Sequence, residues 1–235
     1  RVVKHGNRSA SSKSGSADVL EALGARIDLE PAAVAACIEE VGFGFMFAPA
    51  HHPATKHVVG VRKELAVRTI FNILGPLTNP AGARRQLIGV SDLRFLDFMA
   101  AALGELGCEH ALVVASDDGL DELSVSGPTH VVELRDGTLS ASKLTPESVG
   151  LRSWPQDAVA AGTPERNAAI ARAVLGGERG ADRDLTVLNA GAAIYVGGLA
   201  DTVEAGVRRA EEAIDSGAAS ATLERFVERT RELAA

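Results

Sequence analysis

Cysteine, aromatic side chains and long apolar runs are all scarce in this sequence. Aromatic residues make up 4% of the 235 residues, and there are two cysteines, Cys37 and Cys108. Both cysteines fall in helical patterns, so we expect them to be buried and reduced, as in a cytoplasmic protein. No apolar run approaches the roughly 20 residues that a membrane-spanning helix needs, so we expect no membrane partner.

Positive charge is also in deficit. Lysine and arginine number 24 against 31 aspartate and glutamate residues, which gives a net charge of −7. This balance disfavours nucleic acid or a membrane surface as the main partner. With 46% hydrophobic and 23% charged residues, the composition is that of an ordinary globular protein that can bury a sizeable core.

Residues 4–18 (KHGNRSASSKSGSAD) are the most distinctive segment. They hold five serines, two glycines, two lysines, an arginine, a histidine and an asparagine, and their only apolar residues are two alanines. So many hydrogen-bond donors indicate an anionic partner. The segment runs into a predicted helix over 17–23 that ends at Gly24, and a helix N-terminus favours phosphate. The alternative is a solvated serine-rich linker, but a linker rarely mixes these donors and then enters a capped helix.

The segment matches neither common phosphate-binding motif. The GxxxxGK[ST] order of a P-loop is absent, and no GxGxxG follows a predicted strand. It would therefore be another kind of phosphate loop, with Lys4, Asn7, Arg8 and the serines as donors.

The pattern of apolar residues predicts an α/β fold. A strand over 86–90, a helix from Asp92 to Leu106 and a strand over 110–115 form a unit typical of parallel pairing. The other predicted elements are strands at 2–3 and 43–48, a helix at 31–41, a hairpin of 129–134 and 138–142, and helices at 168–175, 185–196, 205–215 and 219–233.

An acidic segment, residues 116–123 (SDDGLDEL), follows the strand 110–115 at its carboxyl end, where open α/β sheets bind ligands. It is not an EF-hand, because its glycine is misplaced and no glutamate stands at the twelfth position. Asp121 and Glu122 could hold Mg²⁺ and leave its other positions to water and phosphate oxygens. The alternative is a solvated acidic loop, which is common. A phosphate loop elsewhere in the chain favours the metal.

Residues 50–57 (AHHPATKH) carry three histidines. His51 and His52 are adjacent and cannot share a helix face, and no cysteine is near, so capping or polar-pocket roles fit better than zinc. Arg62, in a predicted helical stretch over 58–65, could bind a carboxylate through two hydrogen bonds. Alone, it would more often be a surface arginine.

Five motifs follow one another along the chain. They are Lys4 to Arg8 (KHGNR), Ser11 to Asp18 (SSKSGSAD), Phe47-Ala48-Pro49 with His52-Pro53, Phe71-Asn72 with Leu74 to Pro80 (LGPLTNP), and Asp118 to Glu122 (DGLDE). In order and spacing they resemble the anthranilate phosphoribosyltransferase family, and the resemblance runs over the whole chain. The nucleoside phosphorylases of the same fold differ at the first motif and lack the GPLTNP segment.

The resemblance implies a reaction in tryptophan biosynthesis. The phosphoribosyl group of 5-phosphoribosyl diphosphate (PRPP) would pass to the amine of anthranilate, giving N-(5-phosphoribosyl)anthranilate and diphosphate, with Mg²⁺ as cofactor. It also implies a mixed, mainly parallel central sheet flanked by helices, with a small helical domain, like that of nucleoside phosphorylases and class III-like phosphoribosyltransferases. Residues 1–48 would begin the α/β domain, 49–76 would contribute to the helical domain, and 77–235 would complete the α/β domain, usually in a homodimer.

The same resemblance implies the site residues. PRPP would be bound by Lys4, His5, Gly6, Asn7, Arg8, Ser9, Ala10, Ser11, Ser12 and Ser16. Asn7 would also contact anthranilate, Arg62 would hold the anthranilate carboxylate, and Asp121 and Glu122 would ligate Mg²⁺.

No side chain is assigned as a catalytic residue. An aryl amine is a weak nucleophile and diphosphate is a polyanionic leaving group, so catalysis should rest on positioning and on stabilising the leaving group. His5 is a candidate acid–base group, but a histidine beside a phosphate loop can serve only to shape it.

The family has a second diphosphate loop, and this loop lies upstream of the Lys4 motif. We therefore expect the chain to be a fragment that binds PRPP poorly alone.

Other interpretations of the function stay open. One is another phosphoribosyltransferase or phosphorylase of this fold with a different acceptor, although Arg62 favours a carboxylate-bearing one. Another is a non-catalytic paralogue that binds nucleic acid, which the net charge and the Asp121-Glu122 pair disfavour. A third is a structural remnant that needs a separately encoded partner.

Overall fold

The computed structural model describes residues 1–9, 13–51, 71–160 and 162–234, with the backbone alone for residues 71–73. Contacts divide the chain into two compact units. Unit 1 comprises Arg1–Gly82, Ala161–Ala173 and Ala218–Ala235, and unit 2 comprises Ala83–Ala160 and Val174–Gly217. Each unit is thus assembled from segments that are distant in the sequence.

Helices and strands are intermixed along the first two thirds of the described chain, and the last third is helical. In chain order they are β1 (Val2–Gly6), α1 (Ser16–Leu23), α2 (Pro31–Glu40), β2 (Phe43–Phe47), α3 (Ala48–His51), α4 (Phe71–Leu77), β3 (Arg85–Gly89), α5 (Leu96–Glu105), β4 (His110–Ser116), β5 (Thr129–Arg135), β6 (Thr138–Leu144), α6 (Pro164–Leu175), α7 (Ala181–Val196), α8 (Val203–Asp215) and α9 (Ala218–Leu233).

Unit 1 is built on the parallel pair β1–β2, in which Lys4 lies opposite Phe45. The helix α1 ends at Gly24, which adopts a positive φ of 103°, and α2 begins at Pro31, whose fixed φ suits the first turn of a helix. The ring of Phe43 meets that of Phe226 edge-on at 4.8 Å. The buried core comprises Ala17, Ala25, Ile27, Leu29, Val34, Cys37, Phe45, Met46 and Phe226.

Unit 2 is built on a four-stranded sheet in the order β3-β4-β5-β6. The β3–β4 pairing is parallel, whereas β4–β5 and β5–β6 are antiparallel. All seven residues of β4 are buried, and α5 packs against β4 and β5 while α7 contacts β3 and β4. Asp136 and Gly137 join β5 to β6 with φ values of 50° and 79°, as a tight hairpin turn requires.

A close crossing of α7 and α8 fixes the position of α7. A Cβ at Gly191 would lie 2.5 Å from the backbone nitrogen of Val207, and a Cβ at Gly206 would overlap the carbonyl oxygen of Gly191. Only glycine at both positions lets the two backbones approach this closely.

The predicted α/β class is confirmed, and each helix and strand named above from the sequence is present where the structure describes it, with ends moved by a few residues. In the described residues the strands form a two-stranded parallel sheet and a four-stranded mixed sheet. The helix predicted from Asp92 begins with a 3₁₀ turn, Leu93–Phe95, because the Asp92 side chain accepts the backbone N–H of Arg94 at 3.0 Å. The domain boundaries at 48/49 and 76/77 stay a prediction.

Cys37 and Cys108 are buried free thiols, as expected, and burial raises the pKa of both. Among the helices that the structure describes, none combines the length and the apolar character that crossing a membrane would require.

The Gly206→Ala substitution tests the helix crossing. We expect it to lower the free energy of unfolding by about 2 kcal/mol or more, because its methyl group would overlap the Gly191 carbonyl. Gly104→Ala, inside α5, is the matched control: its Cβ would lie 3.5 Å from Leu134 Cδ1, an ordinary contact, so we expect no loss and a gain of up to about 1 kcal/mol. Urea denaturation measures both, and equal losses would contradict the crossing.

Candidate phosphate and metal sites

The end of β1 lies against the start of α1 in unit 1. A Cβ at Gly6 would lie 2.6 Å from Ser16 Oγ and 2.9 Å from Phe45 Cε2. The next carbonyl along the chain, that of Asn7, accepts the backbone N–H of Ala17 at 3.5 Å. The polar residues that follow β1 are therefore held at the N-terminus of α1, where N–H groups and the helix dipole favour an anion.

The carboxylate of Asp18 closes this loop. Its Oδ2 atom accepts the backbone N–H of Ser9 at 3.0 Å and that of Gly15 at 2.8 Å. These two hydrogen bonds, followed by the charge of Arg8, lower the pKa of Asp18. Gly15 must be glycine for this approach, because a Cβ there would lie 2.6 Å from the Ser9 nitrogen.

Arg8 is fixed in place by Glu21. Its Nε and Nη2 atoms donate to the two carboxylate oxygens of Glu21 at 3.1 and 2.6 Å, and its guanidinium lies 5.1 Å from the centre of the Phe47 ring. The hydrogen bond to Glu21 raises the pKa of Arg8. Since a guanidinium has five N–H donors, these two bonds leave capacity for an anion.

The predicted phosphate-binding residues are brought together in part. Gly6, Asn7, Ser9 and Ser16 surround the start of α1, Arg8 is held beside it, and Lys4 and His5 lie on β1. Ala10, Ser11, Ser12 and Arg62 lie outside the described residues, as do His52 and His57. His51 Nδ1 lies 3.1 Å from the carbonyl oxygen of Phe47, four residues earlier in the chain.

The sequence places Asp18 in the segment 4–18 but does not reveal its role, and it gives no sign that Glu21 belongs to the site. A signal existed for the role of Asp18, because it stands at position N3 of α1. In a capping box, the side chain at N3 accepts the backbone N–H of the N-cap residue, which is Gly15 here. Glu21 follows one helical turn later, on the same face as Asp18.

In unit 2, the acidic segment leaves the carboxyl end of β4, and the carboxylate of Asp118 organises its fold. That carboxylate accepts hydrogen bonds from the hydroxyls of Ser116 and Ser124 and from the backbone N–H of Leu120, the last at 3.2 Å. Burial by itself would raise the pKa of Asp118, but the hydrogen bonds, led by that of Ser116, outweigh it and the pKa is lowered. Asp118 is therefore committed to its own loop.

The other carboxylates of the segment differ in their surroundings. Asp117 contacts His130 Nε2 at 2.8 Å and Lys143 Nζ at 3.9 Å. Asp121 and Glu122 are exposed. The backbone of Asp121 lies against the last residue of β3, Gly89, where any Cβ would overlap the Asp121 carbonyl. The pair is thus held at the carboxyl ends of two neighbouring parallel strands.

The residues fit a hard divalent cation. Asp121 and Glu122 are adjacent, exposed and offer only oxygen ligands, and Mg²⁺ is usually bound through one or two carboxylates with several waters or phosphate oxygens. In the part of the chain that the structure describes, no three His, Cys, Asp or Glu side chains come together as a metal site. A cation at this pair would complete its coordination with water or substrate oxygens.

Comparison with known proteins agrees over the full length of the chain. The family model described as "Glycosyl transferase family, a/b domain" matches residues 1–220. The anthranilate phosphoribosyltransferase of Rubrobacter xylanophilus is 57% identical over 99% of this chain and 68% of its own length. That of Halorhodospira halophila is 54% identical over 99% of this chain, also 68% of its own length. The chain thus spans about two thirds of these relatives.

Solved structures give the same result. The anthranilate phosphoribosyltransferase of Thermus thermophilus has a TM-score of 0.92 and 49% identity, covering 97% of this chain and 68% of that one. The Saccharomyces cerevisiae enzyme, solved in complex with PRPP and Mg, has a TM-score of 0.87 and 28% identity, covering 98% and 65%. A family match over most of the chain, together with these relatives, shows that the chain belongs to the anthranilate phosphoribosyltransferase family.

Proposed function

We propose that this chain serves the reaction of its family. That reaction transfers the phosphoribosyl group of PRPP to the amine of anthranilate and releases N-(5-phosphoribosyl)anthranilate and diphosphate, a step of tryptophan biosynthesis. The observation that carries the proposal is the donor-rich segment that follows β1, in which the Asp18 carboxylate joins the N–H groups of Ser9 and Gly15 at the N-terminus of α1. The yeast relative has been solved with PRPP and Mg and with 4-fluoroanthranilate, which supports the choice of substrates.

The loop would bind the phosphate groups of PRPP. Backbone N–H groups at the start of α1, the Ser9 and Ser16 hydroxyls, and the Lys4 and Arg8 cations supply donors of the kind that bind phosphate. Asn7 sits at the carboxyl end of β1, and we assign it contact with both PRPP and anthranilate. We assign the same PRPP-binding role to His5, Gly6, Ala10, Ser11 and Ser12.

Asp121 and Glu122 would hold Mg²⁺. The bound cation would supply positive charge that stabilises the departing diphosphate. The protein would keep the two carboxylates at fixed positions. The close packing of the Asp121 backbone against Gly89 supports this role.

The chain's own residues would act by binding and orienting. Donors fixed before the reaction stabilise the charge that develops on the leaving group without having to reorganise, so no side-chain nucleophile is required. We assign His5 to the shape of the loop. Its position on β1, opposite Met46, supports a role in the loop's framework.

We further propose that the protein is a cytoplasmic homodimer in which residues 49–76 contribute to a helical domain. Two buried, unpaired thiols, Cys37 and Cys108, support a reducing compartment. Sedimentation velocity of the intact protein tests the dimer, and a monomer at micromolar concentration would contradict it.

The reaction and the metal pair are tested together in the intact enzyme. We expect Mg²⁺-dependent formation of N-(5-phosphoribosyl)anthranilate, and a fall in kcat/KM of about 100-fold in Asp121→Asn and in Glu122→Gln, because each removes a negative ligand. Asp117→Asn is the matched control, since Asp117 contacts His130 and Lys143, and we expect it to retain activity. Product chromatography measures all four proteins. Equal rates in the three variants would exclude the pair as ligands.

Arg62→Ala tests the acceptor. Removing a cation that binds the anthranilate carboxylate should raise the KM for anthranilate by about tenfold or more and leave the KM for PRPP unchanged. Arg94→Ala is the control, because Arg94 is 85% exposed and pairs with Asp92 in its own turn. An unchanged anthranilate KM in Arg62→Ala would mean that another residue recognises the acceptor.

A further inference from the structure

The acidic pair lies on a loop, between the end of β4 at Ser116 and the start of β5 at Thr129. Carboxylates on a mobile loop are poor metal ligands, because binding must then order the backbone as well as the side chains. Mutation of the supporting residues that orient metal ligands typically costs about 10- to 100-fold in metal affinity or activity. The contacts that hold the backbone on either side of Asp121 and Glu122 therefore matter for binding.

The backbone that precedes Asp121 and Glu122 is held by contacts with nearby residues of the same segment and of β3. Asp118 collects hydrogen bonds from Ser116, Leu120 and Ser124, and the carbonyl of Asp121 packs against Gly89. These contacts fix the entry to the pair. They do not hold Leu123, the residue that follows Glu122.

A single side chain, Asn189, holds the backbone of Leu123. Asn189 Oδ1 accepts the N–H of Leu123 at 3.0 Å, and Asn189 Nδ2 donates to the carbonyl oxygen of Leu123 at 2.9 Å. The two bonds grip both polar groups of one residue, as a neighbouring β-strand would. The Leu123 side chain is fully buried, so the residue directly after the pair is anchored through backbone and side chain.

The support behind Asn189 is rigid. Asn189 Nδ2 also donates to the carbonyl of Leu185 at 3.0 Å, which fixes the orientation of the carboxamide. Asn189 lies in α7 beside the fully buried Val187 and Leu188, two residues before the glycine crossing with α8. Asparagine is a weak helix former, so its place in the middle of this helix calls for a role.

We propose that Asn189 is a positioning residue for the metal pair. By holding Leu123 to α7, it keeps the carboxylates of Asp121 and Glu122 at the separation and direction in which they bind a divalent cation. This inference rests on the proposed assignment of Asp121 and Glu122 as metal ligands.

The chain contains a matched control in unit 1. Asn167, on α6, accepts the N–H of Gly162 through Oδ1 at 2.9 Å and donates through Nδ2 to the carbonyl of Gly162 at 3.4 Å. It makes the same two-bond contact with a loop residue, but that loop carries none of the assigned ligands. The Asn167→Ala variant therefore measures the effect on Mn²⁺ binding and on stability of removing such a contact away from the metal pair.

The experiment is a Mn²⁺ titration of the intact protein without substrate, followed by electron paramagnetic resonance, with Mn²⁺ standing in for Mg²⁺. We expect Asn189→Ala to weaken Mn²⁺ binding by about tenfold, and Asn167→Ala to bind Mn²⁺ as the wild type does. Asn189→Asp, which keeps the shape and the acceptor but loses the donor to Leu123, should also weaken binding. Urea denaturation shows whether Asn189→Ala and Asn167→Ala lower the free energy of unfolding by similar amounts.

The double variant Asp121→Asn with Glu122→Gln separates metal ligation from positioning. If it binds Mn²⁺ like the wild type, the metal assignment itself fails. If the double variant loses Mn²⁺ binding while both Asn189 variants keep wild-type affinity, Asn189 has no positioning role. Asp121 and Glu122 then remain assigned as metal ligands. If Asn189→Ala and Asn189→Asp do not fold, hydrogen exchange of the wild type decides: the Leu123 amide should exchange far more slowly than that of Glu122, and equal rates overturn the proposal.

Discussion

In each of the two loops, one carboxylate is hydrogen-bonded to the loop that carries it. Asp18 joins Ser9 to Gly15 through a single oxygen, and Asp118 joins the two hydroxyls of Ser116 and Ser124. The pKa of both carboxylates is lowered, so both remain ionised at neutral pH and their hydrogen bonds stay charge-assisted. In the segment that follows β4 the Asp118 carboxylate acts together with the fully buried Leu123 and Val125, whereas in the segment that follows β1 the Asp18 carboxylate holds residues that are almost all polar.

The hydrogen bonds of Asp18 and Asp118 set the positions of the charged residues beside them. With Asp18 bound to Ser9 and Gly15 and with Glu21 bound to Arg8, the donors of residues 6–9 are arranged at the N-terminus of α1 before any ligand binds. With Asp118 committed inward, Asp121 and Glu122 remain on the exposed side of their segment. Arrangement before binding is what a reaction that relies on positioning requires.

The parts of this structure that follow from local rules could be predicted from the sequence. Apolar periodicity located the helices, Gly24 marked the end of α1, and Asp136-Gly137 marked the hairpin, because each signal acts within a few residues. Contacts between distant residues could not be found this way. Asn189 lies 66 residues from Leu123, and read alone it is only a polar residue in an apolar helix. The pairing of Arg8 with Glu21 was missed because the two residues meet only after the loop has turned back on α1.

Calorimetric titration of the intact enzyme with PRPP and Mg²⁺ shows whether the hydrogen bonds that Asp18 accepts from Ser9 and Gly15 prepare the proposed PRPP site. Asp18→Ala removes the acceptor of two charge-assisted hydrogen bonds, so we expect PRPP affinity to fall by about tenfold or more. Asp28→Ala, which breaks only an exposed pair with Arg26, should bind PRPP as the wild type does. Wild-type affinity in a folded Asp18→Ala variant would show that these hydrogen bonds do not prepare the PRPP site.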